Sequence, residues 1–265
     1  MLPFLSAVRD RAPLLGTFVT FNTSYIAQIL ARCGFDWLMI DMEHSSLSAQ
    51  EATNMVHATV AASQGKCMPI IRVPSHGVEW IKWALDSGAN GIIVPMVNTK
   101  EECDLIVKRG VYPPLGQRSS GPFRTPFADL SRESTMAKYR TEIVKDVVIF
   151  PMIESVEGVQ NAEEIMGTEG VNGVFIGPVD LRSSVGLAGA DGTEHQYVQA
   201  LQKILKIGKR LGIPVGILGS EEALTRQVEM GFDYFMLTGD AGLLTNAATL
   251  VLDKARDSVQ KAKSS

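Results

Sequence analysis

FIGPVDL, residues 175–181, and PMIES, residues 151–155, are built alike. Each is a short apolar run of strand-forming residues that ends in a carboxylate, Asp180 in the first and Glu154 in the second. A carboxylate placed directly after a buried strand is costly unless a cation or hydrogen bonds satisfy it. The two acids are 26 residues apart, the length of one strand–helix repeat. A barrel built from such repeats would carry both to one rim, as a site for a single hard divalent metal requires.

The same alternation runs along the chain in both directions. LLGTFV (14–19), DWLMID (36–41), MPIIRV (68–73), GIIVPMV (91–97), VVIFPMI (147–153), GVFIG (173–177), IPVGIL (213–218) and DYFMLT (233–238) read as strands. They are continuous apolar runs, as expected of parallel strands covered on both faces. Helices are expected from about Ser24, Ser48, Val78, Lys100, Glu194, Ser220 and Asp240. Eight such units in about 250 residues predict an α/β fold, a (β/α)8 TIM barrel, as a single domain over residues 1–265. An open doubly wound sheet is the weaker alternative.

Cap chemistry supports the helix starts. Ser48 with Glu51 forms a capping box, and Ser220 precedes Glu221 and Glu222. Residues 110–131, GVYPPLGQRSSGPFRTPFADLS, break the pattern before a helix near 132–144. Long loops in compact domains are usually functional or disordered. The expectation is a loop after strand 4 on the active-site rim that encloses substrate or meets another subunit; a plain surface loop is the competing reading.

Bulk properties narrow the function. The chain has 265 residues, a net charge of −4 and no basic stripe, which argues against nucleic acid and anionic membranes as partners. Cys33, Cys67 and Cys103 are widely spaced without a CxxC pair, against a disulfide scaffold or zinc site. No signal peptide, peroxisomal tail or bilayer-length run of about 18 to 20 apolar residues is read, and the expected location is cytoplasmic. P-loop, GxGxxG and GxSxG patterns are absent, so no nucleotide is expected.

The polar residues at the strand ends make a compact set: Asp41, Glu43 and His44 after strand 2, Arg72 at strand 3, Asn98 after strand 4, Glu154 after strand 5 and Asp180 after strand 6. Glu154 and Asp180 suit Mg²⁺ or Mn²⁺ with positions left for substrate oxygens; a helix cap or salt bridge is the competing role of each. The planar fork of Arg72 suits a carboxylate or an enolate oxygen, against a structural ion pair. His44, three residues after Asp41, is placed to act as a general base, against a capping or loop histidine. His57, His76 and His195 have no such company. No strand contains a lysine, so no Schiff base is expected and carbonyl activation falls to a metal.

DWLMIDMEHS, IIRVP, LDSGANGIIVPMVNT, YPPLGQRS, IESVEGV and VNGVFIGPVDL, in this order, resemble the HpcH/HpaI aldolase/citrate lyase family over roughly residues 14–245. The resemblance implies a metal-dependent class II aldolase that cleaves a 4-hydroxy-2-oxo acid to pyruvate and an aldehyde through a metal-bound pyruvate enolate. It implies Mg²⁺, Mn²⁺ or Co²⁺ on Glu154 and Asp180, Arg72 stabilising the enolate, and His44 as base. Pro178 and Val179 would lie against the substrate carboxylate. Asp86 would raise the basicity of a histidine, and its place at the end of a helix suggests that it serves a neighbouring subunit. The family is typically hexameric, often with the last helix exchanged, so a homohexamer is implied. One departure stands out: Met152 occupies the position, two before Glu154, where many members place a substrate-positioning glutamine. The resemblance also reaches oxaloacetate decarboxylases and macrophomate synthase, which forms bonds from a pyruvate enolate. A citrate-lyase-like thioester lyase and a non-catalytic barrel have less support.

Overall fold

A computed structural model describes residues 3–11, 13–129, 134–220 and 222–264. Its eight parallel strands pair in chain order and close on themselves: β1 (Leu14–Val19), β2 (Trp37–Asp41), β3 (Met68–Arg72), β4 (Gly91–Val94), β5 (Val148–Ile153), β6 (Val174–Ile176), β7 (Val215–Leu218) and β8 (Tyr234–Met236). The barrel is as expected. Several strands are shorter than their apolar runs, because Pro95, Gly177 and the residues after them already turn into the rim loops.

Side chains alternate across each strand, and two buried clusters separate accordingly. One contains Trp37, Met39, Met68, Ile70, Ile93, Phe150, Met152, Phe175, Tyr234 and Met236, and takes no residue from the helices that surround the barrel; it fills the interior. The other alternates with it, through Leu38, Ile40, Ile71, Ile92, Ile149, Ile153 and Ile176, and packs against the helical ring. The N-terminal helix Phe4–Arg11 closes the floor. Its Phe4 ring meets Trp37, Phe150 and Tyr234 edge-on at 5.9, 5.4 and 5.3 Å between centroids.

Helix starts follow the expected chemistry at Ser48, where the full capping box with Glu51 forms. Ser220 behaves differently. Its hydroxyl accepts from the Ala223 N–H in a turn, and the helix begins at Leu224; Glu221 lies outside the described residues. The helix expected near 132–144 is a short one, Met136–Thr141, followed by a 3-10 turn over Ile143–Asp146, with residues 130–133 outside the description.

The described part of the insertion, residues 110–129, does not lie on the active-site rim. It follows the helix Lys100–Gly110, so the chain has already returned to the opposite end of the barrel. There the buried Arg118 donates to Asp86 at 2.6 Å, at the end of the helix Val78–Asp86, and stacks over the rings of Tyr112 and Tyr139. Ala128 and Thr125 press against Gly88, ahead of β4. The last helix, Asp240–Ser264, leaves the barrel. Asp240 is buried at its start and accepts from the Thr20 and Phe21 N–H groups, both at 2.8 Å, whereas residues 244–264 are exposed throughout.

Candidate active site

The interior parity decides which polar residues enter the barrel mouth. Trp37 and Met39 point inward, so Asp41 does too; Met68 and Ile70 bring Arg72, and Phe150 and Met152 bring Glu154. Asp41 and Arg72 are register partners on β2 and β3. Their ion pair is a cross-strand pair in which Arg72 Nε donates to Asp41 Oδ1 at 2.9 Å and Nη2 to Oδ2 at 2.7 Å. Asp41 is 1% exposed and Arg72 12%. The third edge of the guanidinium is also engaged, with Nη1 lying 3.1 Å from Glu43 Oε2.

Arg72 thus makes the structural ion pair weighed against a substrate role for it, with two of its donors on Asp41. Two carboxylates hold it in place, leaving one N–H bond each on Nη1 and Nη2 outside these pairs. Sequence spacing could not reveal this, since four acidic residues, Asp41, Glu43, Glu154 and Asp180, lie at the strand ends.

Asp41 also shapes the chain beyond β2. Its Oδ1 accepts the backbone N–H groups of Glu43 at 3.0 Å and His44 at 3.4 Å, and the Ser45 hydroxyl donates back to the Asp41 carbonyl. The His44 ring is 65% exposed, and its nearest carboxylate is Glu43, with Nε2 3.7 Å from Oε2, rather than Asp41.

Glu154 is 4% exposed. Its Oε1 accepts the Met96 N–H at 2.6 Å, from a residue held at φ 51° in the left-handed region, a strain that non-glycine residues adopt rarely. On the other side, Met152 pairs with Phe175 and Ile153 with Ile176, and one further step brings Glu154 against Gly177. A Cβ on Gly177 would sit 2.0 Å from Glu154 Oε2. Burial pushes the Glu154 carboxyl up to about 7, with Glu43 and Asp180 adding to the rise and the Met96 N–H and Arg72 opposing it. Burial likewise raises Glu43.

Pro178, Val179 and Asp180 form the first turn of a short helix, Pro178–Ser184, that the sequence reading had not separated from the strand end. Asp180 is exposed there, near enough to Glu154 and Glu43 to repel both. Met152 is buried in the interior directly beneath Glu154 and gives the site an apolar floor. Asn98 stays at the rim as a structural residue. Its side chain accepts from Ser155, and its backbone N–H donates to Glu102 at 2.7 Å. His57 and His76 bond backbone carbonyls of Ser87 and Pro95. Asp86 lies at the far end of its own barrel, bonded to Arg118.

One arginine, Arg72, thus faces four carboxylates, those of Asp41, Glu43, Glu154 and Asp180, and the barrel mouth carries an excess of negative charge. Comparison with known proteins gives the family. Residues 14–261 match the model of the HpcH/HpaI aldolase/citrate lyase family. The chain belongs to that family. It is 34% identical to a hydroxypyruvate/pyruvate aldolase of Cupriavidus necator, over 93% of this chain and 89% of that protein. It is 32% identical to a 2-keto-3-deoxy-L-rhamnonate aldolase of Salmonella typhi, over 99% of this chain and 97% of the relative. Among solved structures, macrophomate synthase superposes with a TM-score of 0.86 at 29% identity, covering 98% of this chain and 91% of that one. Among the described residues of this family member, no helix is long and apolar enough to cross a membrane.

Proposed function

We propose that this chain is a divalent-metal-dependent aldolase that cleaves a 4-hydroxy-2-oxo acid to pyruvate and an aldehyde. The observation that carries the reading is Glu154, buried at the barrel mouth between Met96 N–H and Gly177, with Arg72 and two further carboxylates nearby. So much negative charge in so little solvent fits a bound cation. No group of three or more His, Cys, Asp or Glu side chains forms a metal site among the described residues. The cation would rest on Glu154 and Asp180, with its other positions open to substrate and water oxygens, as Mg²⁺ and Mn²⁺ tolerate. When bound it would supply Lewis-acid polarisation of the 2-oxo group.

The remaining roles fall to the chain's own residues. Arg72 faces the oxygen on which negative charge develops, and its two carboxylate partners hold it there before substrate arrives. His44 accepts the proton of the 4-hydroxyl as the C3–C4 bond breaks. The electron pair passes to the pyruvate fragment as its enolate, C4 leaves as the aldehyde carbonyl, and a proton from solvent returns to C3. The substrate carboxylate would lie beside Pro178 and Val179, at the start of the helix Pro178–Ser184. Met152 contributes no hydrogen bond, so the floor under the substrate is selected by shape. The exposed apolar side chains Leu244, Leu250, Val251, Leu252 and Val259 on the last helix support docking onto another copy, hence a homo-oligomer.

The likeness to macrophomate synthase favours one second reading, in which the same enolate is reached from oxaloacetate and then protonated or captured. Pyruvate release from a panel of 4-hydroxy-2-oxo acids and from oxaloacetate, in Mg²⁺ or Mn²⁺, separates the two. The aldolase reading expects turnover of at least one hydroxy acid, abolished in Glu154→Ala. Activity on oxaloacetate alone would replace it with the second reading.

A further inference from the structure

The charge of Arg72 is already matched by both oxygens of Asp41. Glu43 nevertheless occupies the remaining edge, in a site that also holds Glu154 and Asp180. Glu43 is 18% exposed, and keeping a second anion on one guanidinium there costs desolvation that ion pairing with Arg72 alone does not call for. Its other neighbour accounts for it. Oε2, the oxygen 3.1 Å from Arg72 Nη1, is also the oxygen 3.7 Å from the His44 ring. The backbone cannot swing the two apart, because Asp41 Oδ1 binds the N–H of both Glu43 and His44. The charged groups around Glu43 are Arg72, His44, Asp41 and Asp180. Among the described residues no other carboxylate is paired with the His44 ring, and the chain's own Asp86 is held by Arg118.

We propose that Glu43 is a positioning residue that ties His44 to Arg72, keeping the ring hydrogen on the imidazole nitrogen that faces it and leaving the opposite nitrogen to accept the substrate proton. Rotation of the exposed ring would otherwise place either nitrogen toward the substrate, in either tautomer. At 3.7 Å the Glu43–His44 contact is longer than a hydrogen bond; in the proposal it shortens to one when substrate orders the exposed ring, and the oxygen then shared with Arg72 sets the separation of proton acceptor and charge-stabilising group that proton transfer and bond cleavage in one step need. This inference rests on the aldolase reading.

The test compares wild type with Glu43→Gln in two reactions and one spectrum. Cleavage of a 4-hydroxy-2-oxo acid needs a base for the hydroxyl; decarboxylation of oxaloacetate does not. The expected result is a kcat for cleavage lowered about 10- to 100-fold with KM changed less than about twofold, a loss at least tenfold greater than that in decarboxylation. Nitrogen-15 NMR of the His44 ring is expected to show a single tautomer in wild type and a mixture in Glu43→Gln. Equal losses in both reactions would mean that Glu43 serves Arg72 alone, and would overturn the proposal. So would a tautomer unchanged in Glu43→Gln, or one that Asp86→Asn alters while Glu43→Gln does not. Should Glu43→Gln fail to fold, Glu43→Asp, which keeps the charge on a shorter arm, provides the same comparison. Wild type inert toward every hydroxy acid would sink the aldolase reading instead, and the spectrum would still report on the Glu43–His44 pairing.

Discussion

Replacing Gly177 by alanine tests the site through sterics alone. The Gly177 backbone, at φ −89° and ψ 93°, accepts any residue, so the substitution brings no conformational penalty of its own. The added methyl meets Glu154 Oε2 at 2.0 Å and Glu154 Cβ at 3.0 Å, where ordinary contact begins at 3.4 Å. The carboxylate must therefore move by more than 1 Å. It cannot do so freely, because Oε1 is bonded to the strained Met96 N–H at 2.6 Å. Overpacking of this kind costs about 1–3 kcal/mol, so the variant should fold with a modestly lower Tm. With Glu154 in the metal-holding role proposed above, its displacement by about 1 Å should weaken Mn²⁺ binding roughly 10- to 100-fold and lower kcat/KM by about 100-fold. Isothermal titration with Mn²⁺ and a lactate-dehydrogenase-coupled pyruvate assay measure both. Mn²⁺ affinity and activity within twofold of wild type, in a protein that carries the methyl, would refute the placement of Glu154.

Two further outcomes follow from the same geometry. Arg72→Lys keeps the charge but loses the two-point bond to Asp41, leaving a carboxylate that is 1% exposed poorly paired; stability should fall by about 3 kcal/mol in urea melts, and kcat/KM by at least about 100-fold. The pH dependence of the metal-free protein is set in part by Glu154, whose carboxyl rises from 4.5 to about 7 on folding. A raised acid binds more protons folded than unfolded, so its contribution is full below about pH 4.5 and is lost as pH climbs toward 7, by up to about 3 kcal/mol. Glu154→Gln should remove that loss, and Mn²⁺ affinity of the wild type should increase with pH over the same window, since binding expels the proton.

Much of this site is legible in the amino-acid sequence, and for a physical reason. Strand parity is a property of covalent geometry, so apolar residues at 37 and 39, 68 and 70, and 150 and 152 oblige Asp41, Arg72 and Glu154 to share the interior. The eight apolar runs announced the barrel in the same way. What parity does not encode is choice among partners. Which of Asp41, Glu43, Glu154 and Asp180 would take the three edges of Arg72 depends on register and on the turn after β2, and Glu43 went unassigned for that reason. Gly177 was hidden because its importance lies in the side chain it lacks. The insertion at 110–131 was misplaced although the signal was available: a helix, Lys100–Gly110, intervenes between β4 and the loop, and each helix carries the chain to the other end of the barrel. Met152 was visible as a departure from the family pattern; it is buried in the barrel interior, two residues before Glu154 on the same strand face.

The central claim is that a cation on Glu154 and Asp180 is required for cleavage. The measurement is the rate of pyruvate release from a 4-hydroxy-2-oxo acid by chelator-stripped protein as Mn²⁺ is added back. The account predicts no turnover without metal, saturable recovery with it, and no recovery in Glu154→Gln. Full activity in the stripped protein, indifferent to added Mn²⁺, would contradict it.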